Sequence, residues 1–252
     1  MKKEKHYNKN NKLFFVVLLI ILSALLIIIV LNNNKPDDDM LIENIIKDTS
    51  TAEPNTKTER MLKLEQLQQE NSDIIAWLEI ENSNINYPVL QTSDNSFYMT
   101  HDYRKEYSRD GSLFLDKDYD WNLPSTNLLI YGHNNIGSSE MFVELLNYQD
   151  EEYYNTHKTI RLTTNKEDVE YEIIAVFKSR VYYKSEKNVF RYYYFINANN
   201  EEEFNEFVNN SKKASIYNIE ATATYGDSLL TLSTCSYHTE DGRFAVVARK
   251  IN

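Results

Sequence analysis

The sequence predicts a mainly β domain, either a barrel or a sandwich, with a few helices around it. From Asp73 onward, short segments rich in β-branched and aromatic residues alternate with polar turns. This region of about 180 residues is long enough for a single domain with its own core, and it shows no internal repeat.

Each predicted strand is one such segment between two polar turns. The eight segments cover residues 74–80, 85–90, 111–116, 127–132, 159–164, 169–183, 228–234 and 243–251. Eight short strands at this spacing are typical of both barrels and sandwiches, and the pattern alone does not choose between them.

Two helices are predicted before the strands. Apolar residues in the segment 37–50 share one helical face. The segment 59–71 carries Met61, Leu64 and Leu67 at three-residue spacing and ends near Asn71. A polar linker separates the two helices.

Two more helices are predicted between strands. The first covers residues 138–154, with Ser138 or Ser139 as its N-cap. The second covers residues 201–213; three glutamates suit its N-terminus, and its buried face is formed by Phe204, Phe207 and Val208.

The N-terminus contains a long apolar segment. Residues 13–31 carry no charge, and as a helix they would span about 28 Å, close to the ~30 Å of a bilayer core. Lysines precede the segment and Asp37–Asp39 follow it, which places residues 1–12 in the cytoplasm. A cleaved signal peptide is the alternative, but its apolar region is usually shorter. We therefore expect a single-pass membrane anchor, with residues 32–72 as linker and N-terminal helices and 73–252 as an extracellular domain.

Charge and composition exclude some functions. The formal net charge is −11, and no basic stripe follows the anchor, so nucleic acid is not an expected partner. The acidic segment Asp116–Asp120 lacks the glycine and the distal glutamate of an EF-hand loop and is interpreted as a turn. We expect no metal and no cofactor.

Cys235 is the only cysteine of the chain and follows an apolar strand. An extracellular domain usually pairs its cysteines, so this thiol is either a small buried hydrophobic group or a reactive nucleophile. A nucleophilic thiol needs a nearby base or cation at neutral pH.

His133 is the preferred base among five histidines. It lies just past an apolar strand and follows Gly132, as Cys235 lies just past another strand, so two adjacent strands would bring the side chains together. His238, on a polar loop, is the second candidate. Arg243 begins the last strand and would either bind a substrate carbonyl or oxyanion, or pair with a nearby surface carboxylate.

Three motifs resemble the sortases, membrane-anchored cysteine transpeptidases of Gram-positive bacteria. They are "TLSTC" at Thr231–Cys235, "YGH" at Tyr131–His133 and "GRFAVVAR" at Gly242–Arg249, in the order of the family. The stretch from Trp77 to "GSLFLD" and the helix before the cysteine strand resemble class B. The resemblance extends from about Trp77 to the C-terminus.

The resemblance implies a closed eight-stranded sortase-type β-barrel with N-terminal helices and a helix inserted before the cysteine strand. Cys235 would be the nucleophile, His133 the general acid and base, and Arg243 the group that stabilises the tetrahedral intermediate. By the same resemblance, the groove for the sorting signal would be lined by Asn95, Met99, Tyr182 and Ser233. The implied partners are surface proteins with a C-terminal sorting signal and a peptidoglycan amine.

Two other functions fit the residues. The first is a secreted peptidase that uses the same cysteine and histidine with water as acceptor. The second is a non-catalytic surface-binding domain in which Cys235 is buried and inert.

Overall fold

The computed structural model describes residues 57–123 and 126–251. The strands are β1 Ile74–Glu79, β2 Asn86–Leu90, β3 Leu113–Leu115, β4 Asn127–Tyr131, β5 Thr159–Thr163, β6 Asp168–Arg180, β7 Leu229–Cys235 and β8 Gly242–Lys250. The α-helices are α1 Glu59–Glu70, α2 Glu151–Thr156 and α3 Glu201–Ala214. Short 3₁₀ helices cover Phe97–Met99, Glu144–Gln149 and Tyr192–Tyr194.

The eight strands close into a barrel in the order β1-β2-β3-β4-β7-β8-β6-β5. Closure comes from the antiparallel pairing of β5 with β1, in which Leu78 lies opposite Leu162. All eight predicted strands form, and the sandwich alternative is wrong. A closed sheet has no free edge, so every strand has a hydrogen-bonding neighbour on both sides.

Two neighbouring strands of the barrel run parallel, and this pairing positions the site. Strand β4 lies beside β7 along its whole length, with Tyr131 opposite Ser233. Because the two strands run in the same direction, the segments that follow them emerge at the same end of the barrel.

Both faces of β8 are buried because helix α3 and neighbouring residues cover the outer surface of the barrel at this strand. Phe244, Val246 and Ala248 belong to the interior core. Ala245 and Val247 belong to a second core that contains residues of helix α3. The alternation follows the two-residue period of a strand. The predicted face of α3, Phe204, Phe207 and Val208, is buried in this second core.

Helix α1 forms as predicted. The Thr58 side chain accepts a hydrogen bond from the N–H of Met61, and the helix ends before Asn71. Met61 and Leu64 are buried. Leu64 packs in a third cluster of apolar side chains, with Ile74 and Leu90 of the first two strands.

The helix predicted over residues 138–154 is wrong for most of its length. A 3₁₀ helix covers Glu144–Gln149, and α2 begins only at Glu151. The buried residues Phe142, Leu145 and Tyr148 recur every third position. This spacing matches the three residues per turn of a 3₁₀ helix. The cap of α2 is Asp150, which accepts from the N–H of Glu152.

The predicted membrane anchor, residues 13–31, and the predicted helix over residues 37–50 lie outside the described residues. Across residues 57–123 and 126–251, no helix combines the length and the apolar character needed to cross a membrane.

Candidate active site

A cavity of about 230 Å³ opens at the barrel end where β4 and β7 finish. Six of the seven site residues expected from the sequence line it, namely Cys235, His133, Arg243, Asn95, Met99 and Ser233. Cys235, His133 and Arg243 are each partly exposed. A thiol, an imidazole and a guanidinium therefore share one solvent-accessible cavity.

Strand register brings His133 and Cys235 to the same place. Tyr131 lies opposite Ser233 in the parallel pair, and each of the two residues lies two positions further along its chain. The Gly132 N–H donates to the Ser233 carbonyl at 3.2 Å, and the Thr234 hydroxyl donates to the Gly132 carbonyl at 2.7 Å. These bonds continue the strand pairing up to the site.

The segments that follow the two strands are also tied together. The side chain of Asn134, which is buried, donates from Nδ2 to the carbonyl of Cys235 at 3.0 Å. The Tyr237 hydroxyl donates to the Asn134 carbonyl at 2.8 Å. The histidine segment is thus bonded to the cysteine segment both before Cys235, through Thr234, and after it, through Tyr237.

Arg243 faces Cys235 across the next pair of strands. The two residues are direct partners in the antiparallel register of β7 and β8, so their side chains lie on the same face of the sheet. Arg243 Nη1 donates to the Gly242 carbonyl at 2.9 Å and to the Asp241 carbonyl at 3.3 Å. Within residues 57–123 and 126–251, no carboxylate forms an ion pair with Arg243, so the surface-pair alternative is wrong.

The ring of His133 is held by a backbone carbonyl. His133 Nε2 lies 2.6 Å from the oxygen of Met99. A carbonyl only accepts hydrogen bonds, so Nε2 carries a hydrogen and Nδ1 is the basic nitrogen of the neutral ring. Met99 ends a 3₁₀ helix, and its side chain forms part of the cavity wall.

A family model described as "Sortase domain" matches residues 78–251. The chain belongs to the sortase family. The match includes Cys235, His133 and Arg243 together with all of the barrel strands except the first residues of β1.

The relatives of this sortase identify its class. The chain is 30% identical over 207 residues to sortase B of Listeria monocytogenes, which covers 81% of the chain and 80% of the relative. It is 29% identical over 191 residues to sortase B of Staphylococcus aureus, which covers 75% of each. The sortase is therefore a class B enzyme, a sortase-type cysteine transpeptidase, as the sequence motifs imply.

Solved structures of class B enzymes share its fold. A Staphylococcus aureus sortase B–substrate complex has a TM-score of 0.66 and 27% identity, covering 76% of this chain and 86% of that one. Clostridium perfringens sortase B has a TM-score of 0.64 and 27% identity, covering 75% of this chain and 99% of that one.

Tyr182 is the expected site residue that does not line the cavity. It lies just after β6, where its N–H donates to the Tyr193 hydroxyl at 2.9 Å. Its ring is stacked beneath Arg180, with the guanidinium carbon 4.5 Å from the ring centre. The other histidine candidate of this sortase, His238, also lies outside the lining and bonds the Ser236 hydroxyl through Nδ1 at 2.9 Å.

Several residues around the cavity were not expected from the sequence. Tyr131 and Phe114 contribute aromatic wall, and Asp116 bonds the hydroxyl of Tyr131 at 2.9 Å. The buried Tyr192 hydroxyl bonds the Ser233 hydroxyl at 2.7 Å. Burial raises the pKa of Tyr192, so it remains neutral. An aspartate after a strand and a tyrosine in a short 3₁₀ helix carry no sequence signal that would place them here.

Proposed function

We propose that this sortase cleaves a C-terminal sorting signal after its threonine and joins the protein to a peptidoglycan amine. The observation that carries the proposal is the convergence of Cys235, His133 and Arg243 on one cavity through strand register. A thiol, a base and a fixed set of donors are the groups that acyl transfer requires.

Acylation begins with the thiolate of Cys235. Its sulfur attacks the carbonyl carbon of the threonine, the C=O bond opens to an oxyanion, and the C–N bond then breaks. His133, protonated on Nδ1, gives its proton to the departing amine. The enzyme is left as a thioacyl intermediate, and the C-terminal fragment leaves.

Deacylation reverses the roles. The amine of a peptidoglycan precursor or cross-bridge attacks the thioester, His133 takes a proton from it, and Cys235 leaves as thiolate. The Met99 carbonyl supports this exchange because it accepts from Nε2 in both charge states of the ring.

Arg243 is proposed to bind the threonine carbonyl and then the oxyanion. Its Nη1 is anchored to the backbone carbonyls of the β7–β8 turn, so the guanidinium is already oriented before substrate arrives. Guanidinium donors fixed in advance need little reorganisation as negative charge develops.

The sorting signal is proposed to bind along the wall formed by Asn95, Met99 and Ser233, which line the cavity. Met99 supplies an apolar surface, while the other two supply hydrogen bonds. Tyr182 is proposed to contact the signal outside the cavity, beside the exposed Tyr183.

The cellular arrangement is also a proposal. Residues 13–31 would anchor the enzyme by a single span, with residues 1–12 in the cytoplasm and the domain 73–252 outside. The apolar, uncharged sequence of the segment and the lysines before it support this orientation. The substrates would then be surface proteins that arrive at the outer face of the cell membrane.

Competition between acceptors tests the proposal. The full-length protein in detergent would be incubated with a panel of sorting-signal peptides, with and without an oligoglycine or diamino-acid peptide. We expect the added amine to divert the acyl product from the hydrolysed to the ligated form, and Cys235→Ala to yield neither. Hydrolysis that the amine never diverts would favour a peptidase that uses water.

A further inference from the structure

Asp116 is a buried carboxylate at the edge of the cavity, 5% exposed, in the turn after β3. Its Oδ2 accepts from Asn95 Nδ2 at 3.0 Å and from the Tyr131 hydroxyl at 2.9 Å. Its Oδ1 accepts from the N–H of Asp118 at 2.9 Å. One carboxylate thus binds two side chains that line the cavity.

These bonds fix the orientation of the Asn95 amide. The backbone N–H of Lys117 donates to Asn95 Oδ1 at 2.8 Å, so the oxygen of the amide faces Lys117 and the nitrogen faces Asp116. A flipped amide would set its NH₂ against the N–H of Lys117 and its oxygen against the carboxylate. Within the part of the chain that the structure describes, the second hydrogen of Asn95 Nδ2 has no protein partner.

Tyr131 is oriented by the same carboxylate. Its hydroxyl hydrogen is used in the bond to Asp116, so its oxygen is left as an acceptor. Burial raises the pKa of Tyr131 and the charge of Asp116 raises it further, so the phenol stays protonated at all pH values of interest.

We propose that Asp116 is a positioning residue for recognition of the sorting signal. It holds Asn95 so that it offers one N–H donor to the bound peptide, and it holds Tyr131 so that it offers an acceptor oxygen. The matching group at Asn95 is an oxygen acceptor, either a backbone carbonyl or a side-chain amide oxygen of the signal. This inference rests on the proposed function, because it concerns the same cavity.

The Asp116→Asn variant tests the idea with almost no change in side-chain shape. If its oxygen faces Asn95 and Tyr131, its NH₂ meets the N–H of Asp118. If it is flipped, its NH₂ meets the NH₂ of Asn95. Either orientation opposes two donors. In the first the Asn95 amide keeps only an uncharged acceptor and the Asp118 N–H loses its own, and in the second the Asn95 amide loses its acceptor, so the hold on Asn95 is weakened in both. Asp118→Asn is the matched control, because Asp118 is exposed and pairs with the side chain of Lys117.

Kinetics and binding provide the first readout. For the full-length Asp116→Asn variant we expect KM for the sorting-signal peptide to rise by about 10- to 100-fold, the effect of losing a charge-assisted hydrogen bond. We expect kcat to change by less than about threefold, because Asn95 would contact the bound peptide equally in the ground state and in the transition state. Peptide affinity measured in a Cys235→Ala background should fall in parallel. Asp118→Asn should match wild type in both.

A double variant separates positioning from general stability. If Asp116 acts through Asn95, adding Asp116→Asn to Asn95→Ala should weaken peptide binding little beyond Asn95→Ala alone. If the loss of peptide affinity in the double variant equalled the product of the losses in the two single variants, the proposal would be overturned. So would a KM for Asp116→Asn equal to that of Asp118→Asn.

A swapped pair keeps the test valid if Asp116→Asn folds poorly. In Asn95→Asp/Asp116→Asn, the new amide at position 116 would donate to the new carboxylate at position 95 and accept from the Asp118 N–H, while the Tyr131 hydroxyl would lose its acceptor at position 116. We expect most of the stability to return while peptide affinity stays low, because position 95 now offers an acceptor in place of a donor. Wild-type affinity in the swapped variant would contradict the proposed recognition.

Side-chain amide spectra provide a readout that needs no substrate. We expect the two Nδ2 hydrogens of Asn95 to give separate, well-dispersed signals that move in Asp116→Asn and not in Asp118→Asn. Unchanged signals in Asp116→Asn would overturn the proposal. If the wild type instead turned over no peptide while these signals behaved as expected, the proposed function would fail and the role of Asp116 in orienting Asn95 would stand.

Discussion

Cys235 and Arg243 are direct partners across the antiparallel pair β7–β8. The turn between them is closed by a hydrogen bond from the Ser236 N–H to the Gly242 carbonyl at 3.0 Å. Because β7 also pairs with β4, the same strand that ends in the thiol sets the position of His133 on one side and of Arg243 on the other. The site is therefore a product of strand register.

Arg243 should be needed for rate more than for folding. We expect Arg243→Ala to lower kcat/KM by at least about 100- to 1000-fold, the usual cost of a lost oxyanion donor. Arg243→Lys should recover only part of the lost kcat/KM, because the ammonium group of lysine is a point charge without the planar set of N–H donors of a guanidinium. Steady-state kinetics would check this. Arg249→Ala is the control, since Arg249 lies on the same strand and pairs with Glu172 away from the cavity. Equal losses in the two alanine variants would contradict the role.

Gly132 should tolerate no side chain. A Cβ there would lie 2.4 Å from Leu113 Cδ2 and 2.6 Å from Phe142 Cδ2, and both side chains are fully buried. We expect Gly132→Ala to cost about 1–3 kcal/mol in unfolding free energy and to lower turnover by displacing His133. Denaturant unfolding and kinetics would be measured together.

Gly137→Ala provides the contrast for that variant. A Cβ at Gly137 meets nothing within 4 Å, although φ is +82°. Its cost should be limited to backbone strain of about 1 kcal/mol with turnover unchanged. If Gly132→Ala were as mild as Gly137→Ala, the close packing beneath the histidine segment would not matter for the site.

Replacing Asn134 should lower both stability and turnover, because its side chain joins the histidine segment to the backbone of Cys235. We expect Asn134→Ala to lose about 1 kcal/mol or more through the missing bond to the Cys235 carbonyl. Asn134→Asp should lower turnover further, because a carboxylate beside that carbonyl repels it and disfavours a thiolate nearby. Asn135→Asp adds the same charge at a side chain that donates to the Arg109 backbone carbonyl and the Asp110 carboxylate and does not bond the Cys235 carbonyl. Turnover as low in Asn135→Asp as in Asn134→Asp would contradict this explanation.

Asp168 should make stability depend on pH. Burial raises the pKa of this carboxyl, but hydrogen bonds and charge from Arg161 outweigh burial, so the net pKa lies below its ordinary value of 3.8. Arg161 donates two bonds of 2.8 Å to it. A lowered folded-state pKa gives stability that is full above the unfolded value and is lost as pH falls through the folded value.

Unfolding free energies of wild type and Asp168→Asn at pH 7 and pH 3 would test this. The difference should be about 1–3 kcal/mol at pH 7 and should shrink at pH 3. Glu172→Gln is the control; its pair with Arg249 is a third exposed, so its effect should stay below about 1 kcal/mol at either pH. A difference for Asp168→Asn that does not change with pH would contradict the assignment.

Local pattern was sufficient for the strands and for two helices. All eight strand segments follow from their β-branched and aromatic content between polar turns, and the buried faces of α1 and α3 follow from helical spacing. The segment around Phe142 differed because a three-residue apolar spacing suits a 3₁₀ helix as well as a helix face. Barrel closure depends on the pairing of β1 with β5, which are distant in sequence, and alternation cannot specify it.

The candidate site, like the fold, was predicted only in part from local sequence pattern. His133, Cys235 and Arg243 were predicted because each lies at a strand end next to a motif, and strand register then brings them together. Asp116 was interpreted only as part of a turn. Its contacts with Asn95 and Tyr131 join segments 21 and 15 residues away, respectively, and sequence spacing carries no information about such contacts.

The most direct test of the central claim is the intact mass of the full-length protein after incubation with sorting-signal peptides, for wild type and Cys235→Ala. We predict a mass increase equal to the peptide portion ending at its threonine, absent in Cys235→Ala and removed by an amine acceptor. No adduct with any peptide, together with a Cys235 thiol that resists alkylation in the folded protein, would contradict the assignment of Cys235 as the nucleophile.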